Sequence, residues 1–324
     1  MSEYEYRPRS SVRLDPLTFG TGDLGNHLRA MSDEVAWSIL EAAWDGGIRS
    51  FDTAPHYGLG LAERRLGGFL QTKPRDAYVL STKAGRLLRP NPGGEDRQDD
   101  EGFVVPAATH RVWDPTPAGV RASLEESLTR LGLDRVDILY LHDLQNYDLD
   151  EGIAVGLPAC AELRDEGLVD AVGVGTGSVP ALRAAARTGI PDLMMAAGRY
   201  TLLDQSLAAD VIPECRRHGI GIACASVFNS GLLATDVVPG DAHFHYAPAP
   251  QEVLDRARRL AAICAEHGVR LPTAALHFPL REPVVRTVVT SAMDATQIRE
   301  TIDRMAEPVP DELWAHLAAE RLIP

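Results

Sequence analysis

Eight short apolar runs recur along the chain, and the spacing between them constrains the fold more than any other feature. They are LTFGT (17–21), IRSFDT (48–53), YVLSTK (78–83), VDILYL (136–141), VDAVGVG (169–175), LMMAAG (193–198), IGIACA (220–225) and RTVVTS (286–291). Each is nearly continuous in apolar residues, as a strand buried on both faces must be, so the pattern is that of a parallel sheet covered by helices. The intervening stretches read as those helices. SDEVAWSILEAAWDGG (32–47) opens on Ser32 as a cap and stops at Gly46–Gly47. TPAGVRASLEESLTRLG (116–132) has Thr116 as its cap, Pro117 in the first turn and Gly132 as its stop, and QEVLDRARRLAAICAEHG (251–268) repeats the pattern. Eight β–α alternations predict an α/β fold, a (β/α)8 TIM barrel forming a single domain over 1–324. The alternative, an open doubly wound sheet, would carry GxGxxG after its first strand if it held a dinucleotide. The nearest match, GVGTGSV (173–179), follows the fifth run and has Ser178 where the last glycine belongs.

Composition narrows the function classes. With 45% hydrophobic and 24% charged residues, wholesale disorder is excluded. A net charge of −14 and a pI near 5.1 disfavour nucleic acid and anionic membrane surfaces as partners, leaving a small-molecule substrate. The N-terminus, MSEYEYRPRS, lacks the apolar core of a signal peptide, and no apolar run approaches the length of a membrane span. Cys160, Cys215, Cys224 and Cys264 are scattered, with no CxxC and no histidine at metal-ligand spacing. They read as buried thiols of a cytoplasmic protein with no metal.

Two segments interrupt the alternation: 86–115, polar and rich in Gly and Pro, after the third run, and 235–250 after the seventh. Both follow strand C-termini, so in a barrel these extended loops build the rim of the site. Residues 91–102 read equally as a disordered surface loop, whereas Phe103, His110 and Trp113 give 103–115 something to pack.

The chemistry concentrates where strands end. FDTAPHYG (51–58) places Asp52 at the end of strand two and Tyr57 on the loop after it; Lys83 ends strand three in STKAG, and His142 follows strand four in LYLHD. In a barrel these four converge on one mouth. A phenol titrates near pH 10, and a nearby ammonium stabilises its anion and lowers that value. A carboxylate holds the ammonium, and an imidazole orients a carbonyl or hydroxyl. The set suits proton transfer in a carbonyl–alcohol interconversion. Alone, the lysine reads as a solvated strand end and the histidine as a structural one; together on one face they point to a site.

FDTAPHYG, STKAG and LHD, in that order, resemble the aldo-keto reductase family, and the resemblance covers nearly the whole chain. It implies a barrel that binds a nicotinamide nucleotide extended, without a Rossmann motif. It implies Tyr57 as general acid/base, Lys83 tuning it, Asp52 paired with Lys83, and His142 orienting substrate, while the cofactor carries the hydride. GRYTLLDQ (198–205), FNSGLLA (228–234) and AALHFPL (274–280) resemble the branch that oxidises aldoses and pyridoxal, for instance a hemiacetal to a lactone. His56, Arg86 and Trp113 would then face a hydroxyl-rich substrate, with Trp113 either stacking on a sugar face or packing the loop down.

By the same resemblance Gly20, Thr21, Gly22 and Asp52 contact the cofactor at the first two strand ends. Thr176 or Ser178, or backbone, holds the carboxamide where many reductases use Ser-Asn. Ser226 contacts the cofactor, and residues 228–233, with Phe228, Asn229, Ser230, Gly231 and Leu232 among them, bind the pyrophosphate, although the same stretch by itself reads as a plain turn. Ser291, Asp294, Gln297 and Glu300 face the adenosine end. Family members that prefer NADP carry cationic groups there; Met293, Asp294 and Gln297 stand in their place, so NAD is expected, with Arg299 as the complication. Ala197 and Ala225 replace the usual glutamine and stacking aromatic. An aldehyde or ketone reductase and a non-catalytic nucleotide-sensing module are the other readings.

Overall fold

The computed structural model describes residues 6–244 and 247–324; the first five residues of the polar N-terminus lie outside it. Eight parallel strands close into a barrel: β1 (Leu17–Gly20), β2 (Ser50–Asp52), β3 (Val79–Ala84), β4 (Ile138–His142), β5 (Ala171–Thr176), β6 (Leu193–Ala197), β7 (Gly221–Ala225) and β8 (Val285–Thr290), each hydrogen-bonded to its sequence neighbours and β8 to β1. All eight predicted runs become strands, with ends moved by a residue or two.

The period-2 alternation of a strand divides each run between two apolar layers. Leu139 and Leu141 of β4, Val172 and Val174 of β5, and Met194 and Ala196 of β6 point outward into the large core under the helices. Ile138, Tyr140, Ala171, Leu193, Met195, Ala223 and Val289 fill the barrel interior. The N-terminal segment crosses the bottom, where Arg9 N–H donates to Gly219 O at 3.0 Å and Val12 and Leu14 pack on the interior residues.

The helices start and stop as their residues dictate. Ser32 Oγ accepts from Val35 N–H ahead of α1 (Asp33–Asp45). Thr116 Oγ1 accepts from Gly119 N–H at 3.1 Å ahead of the helix Pro117–Leu131, which ends on Gly132 at φ 63°. The long connection from β7 to β8 carries two helices in tandem, Gln251–Glu266 and Leu271–Leu280.

The segment after β3 is ordered. Arg86–Pro90 and Thr109–Trp113 pair as an antiparallel hairpin. Its tip, which read equally as disordered, folds back on itself: Asp99 N–H donates to Val105 O and Ala107 N–H to Arg97 O. Phe103 is buried and bridges to His27. In the shorter segment after β7, His243–Phe244 pair with Ala247–Pro248.

All four cysteines are buried and free, and burial pushes the Cys160 thiol up to about 12. Among the described residues no cluster of His, Cys, Asp or Glu is arranged to hold a metal ion, and no helix is long and apolar enough to cross a membrane.

Candidate active site

Strand register assembles the four converging groups. Asp52 lies opposite Ser81 in the β2–β3 pair and Lys83 opposite Tyr140 in β3–β4. Ser81 and Lys83 share the inward face of β3 because they are two residues apart, as do Tyr140 and His142 on β4. Lys83 Nζ donates to Asp52 Oδ2 at 2.6 Å and to Thr53 O at 2.9 Å. Ser81 Oγ donates to the other carboxylate oxygen at 2.6 Å. Asp52 and Lys83 are each 2% exposed.

The Tyr57 loop is seated by backbone contact. Gly58, at φ 61°, packs so closely that an added Cβ would lie 2.2 Å from Gly25 O, so only glycine serves there. The Tyr57 ring centroid is 4.7 Å from Lys83 Nζ and 6.0 Å from the His142 ring, which it meets edge-on.

Electrostatics modify the expected tuning of the phenol. Burial raises the Tyr57 pKa, and the Lys83 ammonium lowers it by less, so the net direction is upward and the resting phenol is protonated. Burial works against the Lys83 ammonium as well, but Asp52 and then Tyr57 outweigh it and hold the lysine charged. His142 is driven far down by burial, with Arg86 and Lys83 adding to the effect, and is a neutral imidazole. Its Nδ1 is buried without a partner among the described residues.

The hairpin brings a second polar layer over the mouth. Arg86 Nη1 donates to His56 Nδ1 at 3.1 Å and Nη2 to Asp143 Oδ2 at 2.8 Å. Arg111 forms a two-pronged pair with Asp99 at 2.6 and 3.1 Å and donates to His56 O at 3.1 Å. Arg111 and Asp99 side chains are 4% and 3% exposed, so a buried ion pair fastens the hairpin tip to the Tyr57 loop. Trp113 stacks flat on Tyr147, with ring centroids 4.7 Å apart and planes 4° from parallel, and its edge covers Gly85. Its packing role is therefore the one the geometry realises on that ring face.

The remaining predicted residues lie around the same mouth, at four separate places. Gly20 pairs with Asp52 across β1–β2, Thr21 Oγ1 donates to Asp52 O at 2.9 Å, and a Cβ on Gly22 would meet nothing within 4 Å. Thr176 Oγ1 donates to Gln145 Oε1 at 2.8 Å, while Ser178 Oγ caps the following helix, Val179–Thr188. After β7, Ser226, Asn229, Ser230 and Gly231 all have positive φ. Leu232 is buried and Phe228 packs against the core. The Asn229 side chain is 2% exposed, and neither its amide nitrogen nor its oxygen has a partner among the described residues. After β8, Ser291 Oγ bonds to Asp23, and Asp294 Oδ1 caps the helix Ala295–Ala306 by accepting from Thr296 and Gln297 N–H at 2.8 and 2.9 Å. Gln297 Oε1 accepts from Met293 N–H, and Glu300 pairs with Arg304. Arg299 is exposed.

Sequence reasoning passed over Ser81, Asp143, Gln145, Arg111, Asp99 and Glu101. Ser81 was within reach, since it sits two residues before Lys83 on the same strand face. Gln145, Asp99 and Glu101 carried no such signal, because only the folding of their loops brings them to the mouth, where Glu101 stays 43% exposed beside His56, Arg86 and Arg111.

A parallel eight-stranded barrel with a buried Asp–Lys pair beside a tyrosine and a neutral histidine at its C-terminal mouth defines an oxidoreductase class. The aldo/keto reductase family matches residues 16–320, and the chain belongs to it. It is an NAD(P)-dependent oxidoreductase. The chain is similar to a D-threo-aldose 1-dehydrogenase of a Pseudomonas species, 51% identical over 97% of this chain and 96% of that protein. It is also similar to a pyridoxal 4-dehydrogenase of Microbacterium luteolum, 35% identical over 99% and 98% of the two chains. Among solved structures, an aldo-keto reductase of Bacillus halodurans superposes with a TM-score of 0.77 at 23% identity, covering 99% of this chain and 96% of that one, and so shares the fold.

Proposed function

We propose that the chain oxidises the anomeric hydroxyl of an aldose to a lactone with NAD. The observation that carries this is the 51% identity to an aldose 1-dehydrogenase along 97% of the chain. The site supports it chemically. A nicotinamide nucleotide, when bound, would supply the hydride acceptor. Tyr57 receives the hydroxyl proton at its phenol oxygen, Lys83 stabilises the phenolate that accepts it, and Asp52 holds Lys83 in place. His142, neutral, orients the reacting oxygen by hydrogen bonding. The polar mouth formed by His56 and Arg86 suits a hydroxyl-rich substrate.

The residues present fit an extended dinucleotide. The left-handed turn at Asn229–Gly231 is the kind of backbone that forms an anion-binding concavity, and the buried Asn229 amide, without a partner among the described residues, supplies a further donor. Open space at Gly22 admits a ligand against the backbone. Ala197 and Ala225 lie opposite each other across β6–β7, and two small side chains there leave room for a flat ring. Thr176 lies opposite Ala196, the residue before Ala197, in the β5–β6 pair, which makes the Thr176–Gln145 pair the candidate holder of the carboxamide.

Purified protein given NAD and a panel of aldoses is expected to form reduced nicotinamide. A steroid or long-chain aldehyde turned over far better than any aldose or pyridoxal would overturn the substrate assignment.

Cofactor choice rests on Asp294, a carboxylate at the position where, by the family resemblance, NADP-preferring members hold the 2′-phosphate. Its helix-capping bonds use Oδ1. Asp294→Ser keeps a capping oxygen and removes the charge. The ratio of kcat/KM for NAD over NADP is expected to favour NAD in the native protein. In the variant it is expected to fall by about fivefold to tenfold, the scale of one like-charge contact of about 1 kcal/mol in water. A native preference for NADP refutes the assignment.

A further inference from the structure

Three aromatic rings pack against one another at the mouth. His56, Tyr57 and His142 have centroids 5.4 to 6.0 Å apart, and Phe103 closes the set at 5.1 Å from His56. Tyr57 and His142 serve the reacting oxygen; His56 is the next polar group an adjoining substrate atom would meet. We propose that His56 is a specificity-determining residue whose Nε2–H binds the oxygen on the carbon beside the one being oxidised. The proposal rests on the aldose reading and names the part of the sugar that this site reads.

Geometry sets the tautomer. A guanidinium carries donors only, so the 3.1 Å contact from Arg86 obliges His56 Nδ1 to accept. In the neutral ring the proton is then on Nε2. The charged groups around the ring keep it neutral. Arg86 lies against Nδ1, Arg111 bonds to the His56 carbonyl, and Lys83 and His27 add positive potential. Glu101 stands 3.7 Å from Nδ1, but its carboxylate is shared with Arg86 at 3.6 Å and Arg111 at 3.3 Å. Burial, with both guanidiniums adding to it, takes the His56 pKa down to about 2. Asp143 anchors Arg86 at 2.8 Å, so the donor to Nδ1 is itself fixed.

The result is an N–H of constant charge and direction on a side chain only 14% exposed, with no bond from Nε2 among the described residues. A preformed donor of this kind selects a substrate acceptor without rearrangement. It rejects analogues that lack the acceptor, because the buried N–H is then left unpaired.

The test compares kcat/KM for an aldose and its 2-deoxy analogue, and, in the reductive direction, for glyceraldehyde and 3-hydroxypropanal, which lacks only the C2 hydroxyl. The native enzyme is expected to prefer the C2-hydroxylated member of each pair by about tenfold to a hundredfold. His56→Leu is expected to bring both ratios toward one, and His56→Gln, whose amide nitrogen can take the place of Nε2, to restore most of the preference. Ratios that survive in His56→Leu, or a native enzyme that handles both members alike, overturn the proposal. The glyceraldehyde pair reports on His56 even if no aldose is oxidised, which separates failure of this proposal from failure of the aldose reading. Nitrogen-15 spectra add a readout free of substrate. His56 should remain the Nε2–H tautomer between about pH 5 and pH 8, where a free imidazole would titrate. Arg86→Met should release a mixture of tautomers, and an imidazolium or an Nδ1–H form in the native protein counts against the proposal.

Discussion

Tyr57→Phe is expected to lower kcat by about a hundredfold or more, the scale of losing a general acid/base, while the dissociation constant for the nucleotide stays close to that of the native protein. The substitution keeps the ring that packs beside His142 and Lys83 and removes one hydroxyl. Pre-steady-state turnover and nucleotide titration by fluorescence measure the two quantities separately. Normal turnover in the variant would mean that another group moves the proton. The raised pKa of Tyr57 gives the pH dependence its sign. Oxidation needs the phenolate, so its rate should climb as pH rises from neutral. Reduction needs the phenol and should hold through neutral pH and fall at alkaline pH. Both trends should vanish in Tyr57→Phe.

Lys83→Met is expected to destabilise the protein by about 3–5 kcal/mol, because it leaves the Asp52 carboxylate buried without its cation. Asp52 is 2% exposed, and among the described residues only the Ser81 hydroxyl remains to bond its carboxylate. The midpoint of denaturant unfolding measures the loss. Adding Asp52→Asn removes the stranded charge and should recover much of the stability without recovering turnover, since the phenol still lacks its ammonium. If the double variant is as unstable as the single one, the pair is not a compensated ion pair of the kind described. If it recovers activity as well, Lys83 has no role in the chemistry.

The mouth shows which features a sequence carries openly. Asp52, Lys83 and His142 each end or follow an apolar run, so their place at one rim follows from strand alternation and barrel closure. The upward shift of Tyr57 was not legible. A sequence names the neighbouring ammonium but not the depth of burial, and here burial outweighs the charge. Nor was the order of residues 91–102, whose polar, Gly/Pro-rich composition matches a disordered loop. The Arg111–Asp99 pair that holds the tip joins a tip residue to the second arm of the hairpin and depends on the fold-back of the tip. Trp113 had two open roles, and its partner Tyr147 lies on another loop.

By itself the amino-acid sequence determined the alternation of strands and helices, their caps, and the strand ends that carry the converging polar groups. Those features follow from local periodicity and from residue types at element ends, which act over a few positions. The tertiary structure alone decided what each of those groups becomes. It half-buried Tyr57 so that desolvation outweighs the nearby ammonium, and it placed Arg86 against His56 so that the imidazole has one tautomer. It also joined Ser81 to Asp52 and Arg111 to Asp99. Dielectric environment and donor geometry depend on atoms brought together from distant parts of the chain, and neither is a property of any one segment.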